Sequence, residues 1–164
     1  VRLIGEAKSE LAIQLLDYNP TTYARPKRFY FPIDNALRDA AVRGVKVKLL
    51  VSHWNTDEHS VAHIKSLSLI PGIEVRVITV PEAKQGAIPF SRTAHSKYMV
   101  ADGKICWIGT SNWAGGYLDQ SRNLEIVVKD EGLATRAGKI HARLWDSPYT
   151  EPLQIQKAYP KPRK

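Results

Sequence analysis

A single cysteine, Cys106, stands in 164 residues, so no disulfide can form within the chain and no cysteine-based zinc cluster can be built from it. Long hydrophobic runs are missing too. No apolar stretch approaches the roughly 20 residues of a membrane-spanning helix, and Val1-Arg2-Leu3-Ile4-Gly5 lacks a signal-peptide pattern. There is no Asn-X-Ser/Thr acceptor, since Asn19 is followed by Pro20. No internal repeat occurs, and the 10 Gly and 10 Pro are dispersed among 43% apolar and 24% charged residues, which excludes disordered, collagen-like and low-complexity classes. Negative charge is in deficit: 16 Asp+Glu against 24 Lys+Arg leave a net +8. That balance favours an anionic partner, nucleic acid or phospholipid headgroups.

What is present reads as one domain able to bury its own core. Residues 1–8 look like the end of an amphipathic helix and residues 11–16 like a buried strand. With no initiating methionine, this opening predicts an element that begins before residue 1, as in a processed product or a fragment. Helical spacing over 29–43 ends at Gly44, a strand follows over 45–51, a second helix over 57–69 and another strand over 73–80. This β-α-β-α-β order predicts an α/β layered domain, a mixed sheet flanked by helices with at least part of it parallel. Residues 82–93 have no periodicity and form a candidate substrate loop. Two strands, 97–101 and 104–109, flank Asp102-Gly103, a two-residue hairpin signal. A strand over 124–128 and a helix over 131–145 close the domain, taken as residues 1–150, and residues 151–164 read as a basic, solvated C-terminal tail.

The chemistry concentrates in His95-Ser96-Lys97 and Gly109-Thr110-Ser111-Asn112. A two-residue turn sets Lys97 opposite Ile108 and His95 opposite Thr110. Residues two apart share a strand face, so His95 and Lys97 project together, roughly 6 to 7 Å apart at the backbone. Asn112 continues that face if its strand runs on, whereas Ser111 joins only if the chain turns. An imidazole, an ammonium and an amide about one point suit phosphoryl transfer. A lone strand histidine is usually structural, but His, Lys and Asp at three fixed offsets arise by chance in a chain this long only about 1 or 2% of the time. Asp102, in the turn, reads as a hairpin and hydrogen-bonding residue. Glu125 is the only charge in its apolar run. Either it is buried with a partner, for which the Nδ1 proton of His95 serves, or it sits at a strand edge facing water.

Other features carry weaker readings. His59 and His63 stand at i, i+4 on the predicted helix, a zinc-compatible spacing, but no third ligand is near and they read as exposed helix residues. Phe29, Tyr30 and Phe31 read as a helix start packed on the core rather than as base-stacking rings. Trp54 and Tyr117 are candidates for lining a substrate groove.

His95-x-Lys97-x4-Asp102 with Gly109-Thr110-Ser111-Asn112 resembles the HKD signature of the phospholipase D superfamily. Residues 25–29, 45–52, 108–113 and 145–149 extend the likeness to the C-terminal half of the type 3 and type 4 phospholipase D branch, over nearly the whole chain. The resemblance implies a metal-free phosphodiesterase half-site that needs no cofactor. In it His95 is nucleophile, through a phosphohistidine, or general acid, and Lys97 and Asn112 hold phosphate oxygens. It also implies 5′→3′ exonuclease action on single-stranded DNA or RNA in the endolysosomal lumen, although lumenal members carry glycosylation acceptors and several cysteines that this sequence lacks. The superfamily builds its site from two HKD copies about an approximate two-fold axis. Of His53, His59, His63 and His141, only His63 stands in a His-x-Lys pair, with Lys65, and Ile70 occupies the place of its Asp, so no second His-x-Lys-x4-Asp occurs. The expected partner is therefore a missing N-terminal half or an identical chain in a homodimer. A phospholipid hydrolase or transphosphatidylase and a non-catalytic basic nucleic-acid-binding module are the alternatives.

Overall fold

Strand β1 (Glu10–Leu15) is the axis of the domain: five of its six residues are buried, and it has neighbours on both sides. The computed structural model describes residues 1–162. β1 pairs in parallel with β3 (Lys46–Ser52), which pairs in parallel with β4 (Ile73–Ile78). The crossovers are helix α2 (Phe31–Val42) and, after the 3-10 turn His53–Thr56, helix α3 (Val61–Ser68). On its other side β1 meets antiparallel β5 (Tyr98–Ala101), followed by β6 (Ile105–Gly109) and β8 (Glu125–Lys129). With β9 (Thr150–Pro152) against β4, the sheet runs β8-β6-β5-β1-β3-β4-β9. It is thus mixed and seven-stranded.

Alternation along the strands sorts the core into two layers. Leu11, Ile13, Leu15, Val47, Leu49, Val51, Met99 and Ala101 face helix α1 (Arg2–Glu6), α2 and α3. Ala12, Val100, Tyr98 and Cys106 face Ala134 of helix α5 (Glu131–Trp145). The α5 start is capped by Asp130, which accepts the Leu133 N–H. No helix among the described residues is long and apolar enough to cross a membrane.

Where β1 and β3 end, side chains hold the backbone open. Ser52 Oγ and Asn55 Nδ2 donate to the Leu16 carbonyl at 2.8 and 2.7 Å, and Asn55 Oδ1 accepts the Tyr18 N–H at 2.7 Å. The chain is thereby led into β2 (Tyr18–Asn19), which pairs in parallel with β7 (Trp113–Ala114). The short helix α4 (Gly115–Asp119) follows. These two-residue strands have no sequence periodicity.

Two expectations are corrected here. The hairpin connection holds three residues, not two: Ala101 faces Ile105 and Tyr98 faces Ile108. Asp102 and Gly103 both adopt positive φ, 54° and 66°, and the Asp102 carboxylate is drawn away from the hairpin to the α1–β1 junction. There it accepts the N–H groups of Lys8, Ser9 and Glu10 at 2.9, 2.8 and 3.0 Å and the Ser9 hydroxyl at 2.8 Å. The stretch from residue 151 is not a free tail from its start, because Glu151 and Pro152 lie in β9 and the Leu153 N–H donates to Val75 at 3.0 Å. The tail expectation for residues 163–164 lies outside the described residues.

Burial pushes the Asp102 carboxyl up, but its donors together outweigh this and hold it at about 2, against an ordinary 3.8. A folded value below the unfolded one means stabilisation that is complete above pH about 4 and disappears as pH falls towards 2. Asp102→Asn should cost about 2 kcal/mol at neutral pH, the scale of hydrogen bonds to a charged group. Urea unfolding of both proteins should show the gap narrowing steadily from pH 4 to pH 2, and a pH-independent gap would refute the assignment.

Candidate functional site

The three-residue turn sets the geometry of the site. It moves the register by one, so that the Lys97 carbonyl accepts the Gly109 N–H at 3.1 Å and Lys97 faces Gly109 instead of Ile108. Gly109 in turn faces Glu125 on β8. Three adjacent strands thus present an ammonium, a glycine and a carboxylate in one row, with the outer two about 9.5 Å apart at the backbone. The missing side chain is what admits the Glu125 carboxylate: a Cβ on Gly109 would lie 1.8 Å from Glu125 Oε2 and 2.6 Å from the Trp107 ring.

His95 and Lys97 lie just before β5 on extended chain, and Lys97 Nζ is 3.3 Å from both Nδ1 and Nε2 of His95. The two differ in environment. His95 is exposed, while Lys97 is 7% exposed, so its charge acts through protein rather than water. Burial lowers the Lys97 pKa, opposed by the charge of Asp17. Burial first, and then the Lys97 charge, lowers that of His95. Both effects favour a neutral imidazole, which keeps a ring lone pair for nucleophilic attack.

Ser111 and Asn112 follow β6 and are buried. The chain does turn at this point, as the sequence required for Ser111 to join the site, because the Trp113 N–H donates to the Asp17 carbonyl at 3.1 Å and starts β7. Asn112 Oδ1 is buried with no hydrogen-bond partner among the described residues. Ser111 Oγ donates to Glu125 Oε1. Glu125 therefore corrects the sequence expectation in two ways. β8 is the exposed edge of the sheet rather than a buried strand, and the carboxylate pairs with Ser111, with no hydrogen bond to His95 among the described residues. Its apolar neighbours Leu124, Ile126 and Val127 are themselves exposed, at 66%, 50% and 44%.

The remaining candidates divide by position. Trp54, in the 3-10 turn after β3, meets Phe90 of the 82–93 loop edge-on at 6.2 Å. Tyr117 meets Tyr23 edge-on at 6.1 Å. Phe29 packs on His63 at 5.8 Å, Phe31 is 60% exposed, and Tyr30 hydrogen-bonds Asp119. His59 and His63 do not share a helix face. Helix α3 starts at Val61, and Asp57 Oδ1 holds the His59 and Ser60 N–H groups in a turn before it. One site residue escaped the sequence reading, Asp17, and Gly109 was named in it without its role. The signal for Asp17 was its place after the apolar run of a central parallel strand, at the carboxyl end where α/β sheets bind ligands.

Comparison with known proteins bears on the family and the fold. The profile of a family described as "Cardiolipin synthase, PLD-like domain" matches residues 1–145. Phospholipase D Y of Dictyostelium discoideum is 37% identical over 155 residues, covering 92% of this chain and 35% of the relative. The human 5′-3′ exonuclease PLD3 is 36% identical over 166 residues, covering 93% and 34%. The chain thus spans about a third of the length of the curated relatives it matches. Among solved structures, NucT from Helicobacter pylori superposes with a TM-score of 0.73 at 20% identity, over 89% of this chain and 84% of that one. Nuc from Salmonella typhimurium superposes with 0.71 at 20% identity, over 93% and 87%. These two likenesses establish the fold.

Lys97→Met should raise the His95 pKa towards its ordinary value without restoring it fully, since burial remains. Titration of the imidazole resonances by NMR checks this, and an unmoved His95 would show that the Lys97 charge does not act on it. A second outcome concerns the row. With the complementary half present, Glu125→Gln, which removes the charge that Ser111 Oγ donates to, should lower turnover by roughly one to two orders of magnitude, the scale of one hydrogen bond to a charged group. Gly109→Ala, whose Cβ would displace the Glu125 carboxylate and crowd the Trp107 ring, should reproduce most of that loss. A normal rate in folded Gly109→Ala would show that the carboxylate's place is not used.

Proposed function

Because the chain belongs to the phospholipase D-like family, we propose that it supplies one half of a phosphodiester-cleaving site whose substrate is single-stranded nucleic acid. The observation that carries the reading is the exposed imidazole of His95 set against the buried ammonium of Lys97, 3.3 Å away. The imidazole attacks phosphorus, the P–N bond forms, and the P–O bond to the leaving strand breaks. Lys97 and the buried Asn112 amide take up charge on the non-bridging oxygens. The leaving oxygen needs a proton, and a water must later be activated to break the P–N bond; both fall to a group on the opposite side of the phosphate. This chain has no second complete His-x-Lys-x4-Asp signature, since His63-x-Lys65 is followed at the Asp position by Ile70, so that group belongs to another HKD half, of the same polypeptide or of a second copy. Exposed Ile108, Leu124, Ile126 and Val127 beside the Ser111–Glu125 pair support a partner on the β8 edge.

The net +8 charge and the exonuclease relative favour nucleic acid over lipid as the substrate. Glu125 would act as a positioning residue for this substrate side of the site through Ser111. Hydrolysis should persist in excess EDTA, because nucleophile and countercharge are both side chains, and should vanish in His95→Ala and Lys97→Ala. The chain as a monomer should be inactive. Solution mass, cleavage of a single-stranded oligonucleotide and competition by phosphatidyl vesicles, all on one preparation, test the reading. Chelator sensitivity or an active monomer would overturn it, vesicles hydrolysed in preference would assign a lipid substrate, and binding without product or acid-quenched phosphohistidine in the paired enzyme would leave a binding module.

A further inference from the structure

Residues 20–30 leave β2 and return to α2 as a loop that the reaction does not use. Its stem is built: Thr21 and Phe29 form an antiparallel bridge, and the Thr22 and Tyr30 N–H groups donate to Arg28 and Pro20 carbonyls, each at 2.8 Å. The stem is also fastened to the segment after Asn112. The Gly115 N–H donates to the Thr21 carbonyl at 3.0 Å, and the Tyr23 ring covers Gly116, where a Cβ would come within 2.0 Å of it. Gly116 is four residues from Asn112, no more than about 14 Å of chain. The loop is therefore fastened to the chain just after Asn112, within that reach of it.

Arg25 and Lys27 at its tip and Arg28 on its stem are all exposed, near a Tyr23 that is 55% exposed. None of the three cations makes an ion pair among the described residues, unlike Arg38 with Asp34 or Arg76 with Glu74. Three like charges within four residues repel one another and gain nothing from the fold. The groove of about 1160 Å³ between the 79–92 loop and the C-terminal segment differs, since it sets Arg92, Lys157 and Lys161 among Glu82 and Glu151 and so does not select a polyanion.

Resting on the nuclease reading above, we infer that the 20–30 loop is a track for the single strand outside the scissile phosphate. Arg25, Lys27 and Arg28 pair with neighbouring phosphates, and the exposed face of Tyr23 receives a base. A lipid surface would be met by the cations alone; the ring beside them, continuous with the Asn112 segment, fits an extended strand.

The test uses the complete two-half enzyme carrying Arg25→Gln, Lys27→Gln and Arg28→Gln together. The probes are a 20-nucleotide single strand and bis(p-nitrophenyl) phosphate, which is too small to reach the loop. KM for the oligonucleotide should rise about tenfold or more with kcat held, the sum of three exposed charge pairs. The slope of log(1/KM) against log salt should flatten by about 2, at roughly 0.7 per phosphate released. Hydrolysis of the small diester should be unchanged. An unaltered oligonucleotide KM and salt slope would overturn the track and leave the nuclease reading standing. Equal losses on both substrates would overturn it too, making the loop a support for the fold. A wild-type enzyme that hydrolyses phosphatidyl vesicles and not the oligonucleotide would overturn the nuclease reading and this inference with it.

Discussion

The arrangement depends on one carboxylate placed far from the reacting groups. Asp102 accepts four hydrogen bonds from Lys8, Ser9 and Glu10 while its own N–H donates to the Glu10 carbonyl at 2.9 Å. It ties the tip of the β5–β6 hairpin to the start of the central strand. A carboxylate with this many donors is strongly held in its charged form, so the turn is pinned as a three-residue connection. Strand pairing is discrete, and a slip of one residue would invert every side chain. The far end of the hairpin inherits that register, which is why Lys97 meets Gly109 and why a carboxylate can fold across from β8.

At that end the domain concentrates charge where water is scarce. Lys97 enters the layer that holds Leu15 and Met99, partly compensated by Asp17. An ammonium so placed is weakly screened and is strongly offset by an incoming phosphate. His95 stays at the surface, its pKa lowered by partial desolvation and by that same ammonium. The backbone around them is held by the Ser52 and Asn55 contacts to Leu16 and by β2–β7 pairing. The polar groups of the pocket therefore stand on the ends of rigid strands, while the phosphate-facing loops hang from them.

The half character of the site has a counterpart in the surface. β8 is an unpaired edge with apolar residues on view, and such an edge is usually blunted or covered in a self-sufficient sheet. Longer relatives that share this unit over about a third of their length, and the bacterial NucT and Nuc folds of nearly its own size, show that the same layered unit occurs in chains of different overall length. Family membership accounts for the unit.

Much of this was legible in the amino-acid order. Apolar periodicity located helix α5 at residues 131–145 and the helices and strands of the parallel half within a few residues, since each buries a continuous stripe. The spacing of His95, Lys97 and Asp102 marked the chemistry, because residues two apart on an extended chain share a side. Short elements were not legible: β2, β7 and β9 have two or three residues each, too few for a period, and exist because Tyr18, Trp113 and Thr150 find partners far along the chain. The partner of Glu125 was a tertiary matter as well. An isolated Glu in an apolar run is compatible with burial or with an edge, and only the strand order, which puts β8 outermost, selects between them. Local sequence determines which residues can form a strand and which atoms can do chemistry. Which strand lies beside which, and by how many residues it is offset, is decided by long-range pairing energies such as the Asp102 clamp, and those decided who stands next to Lys97.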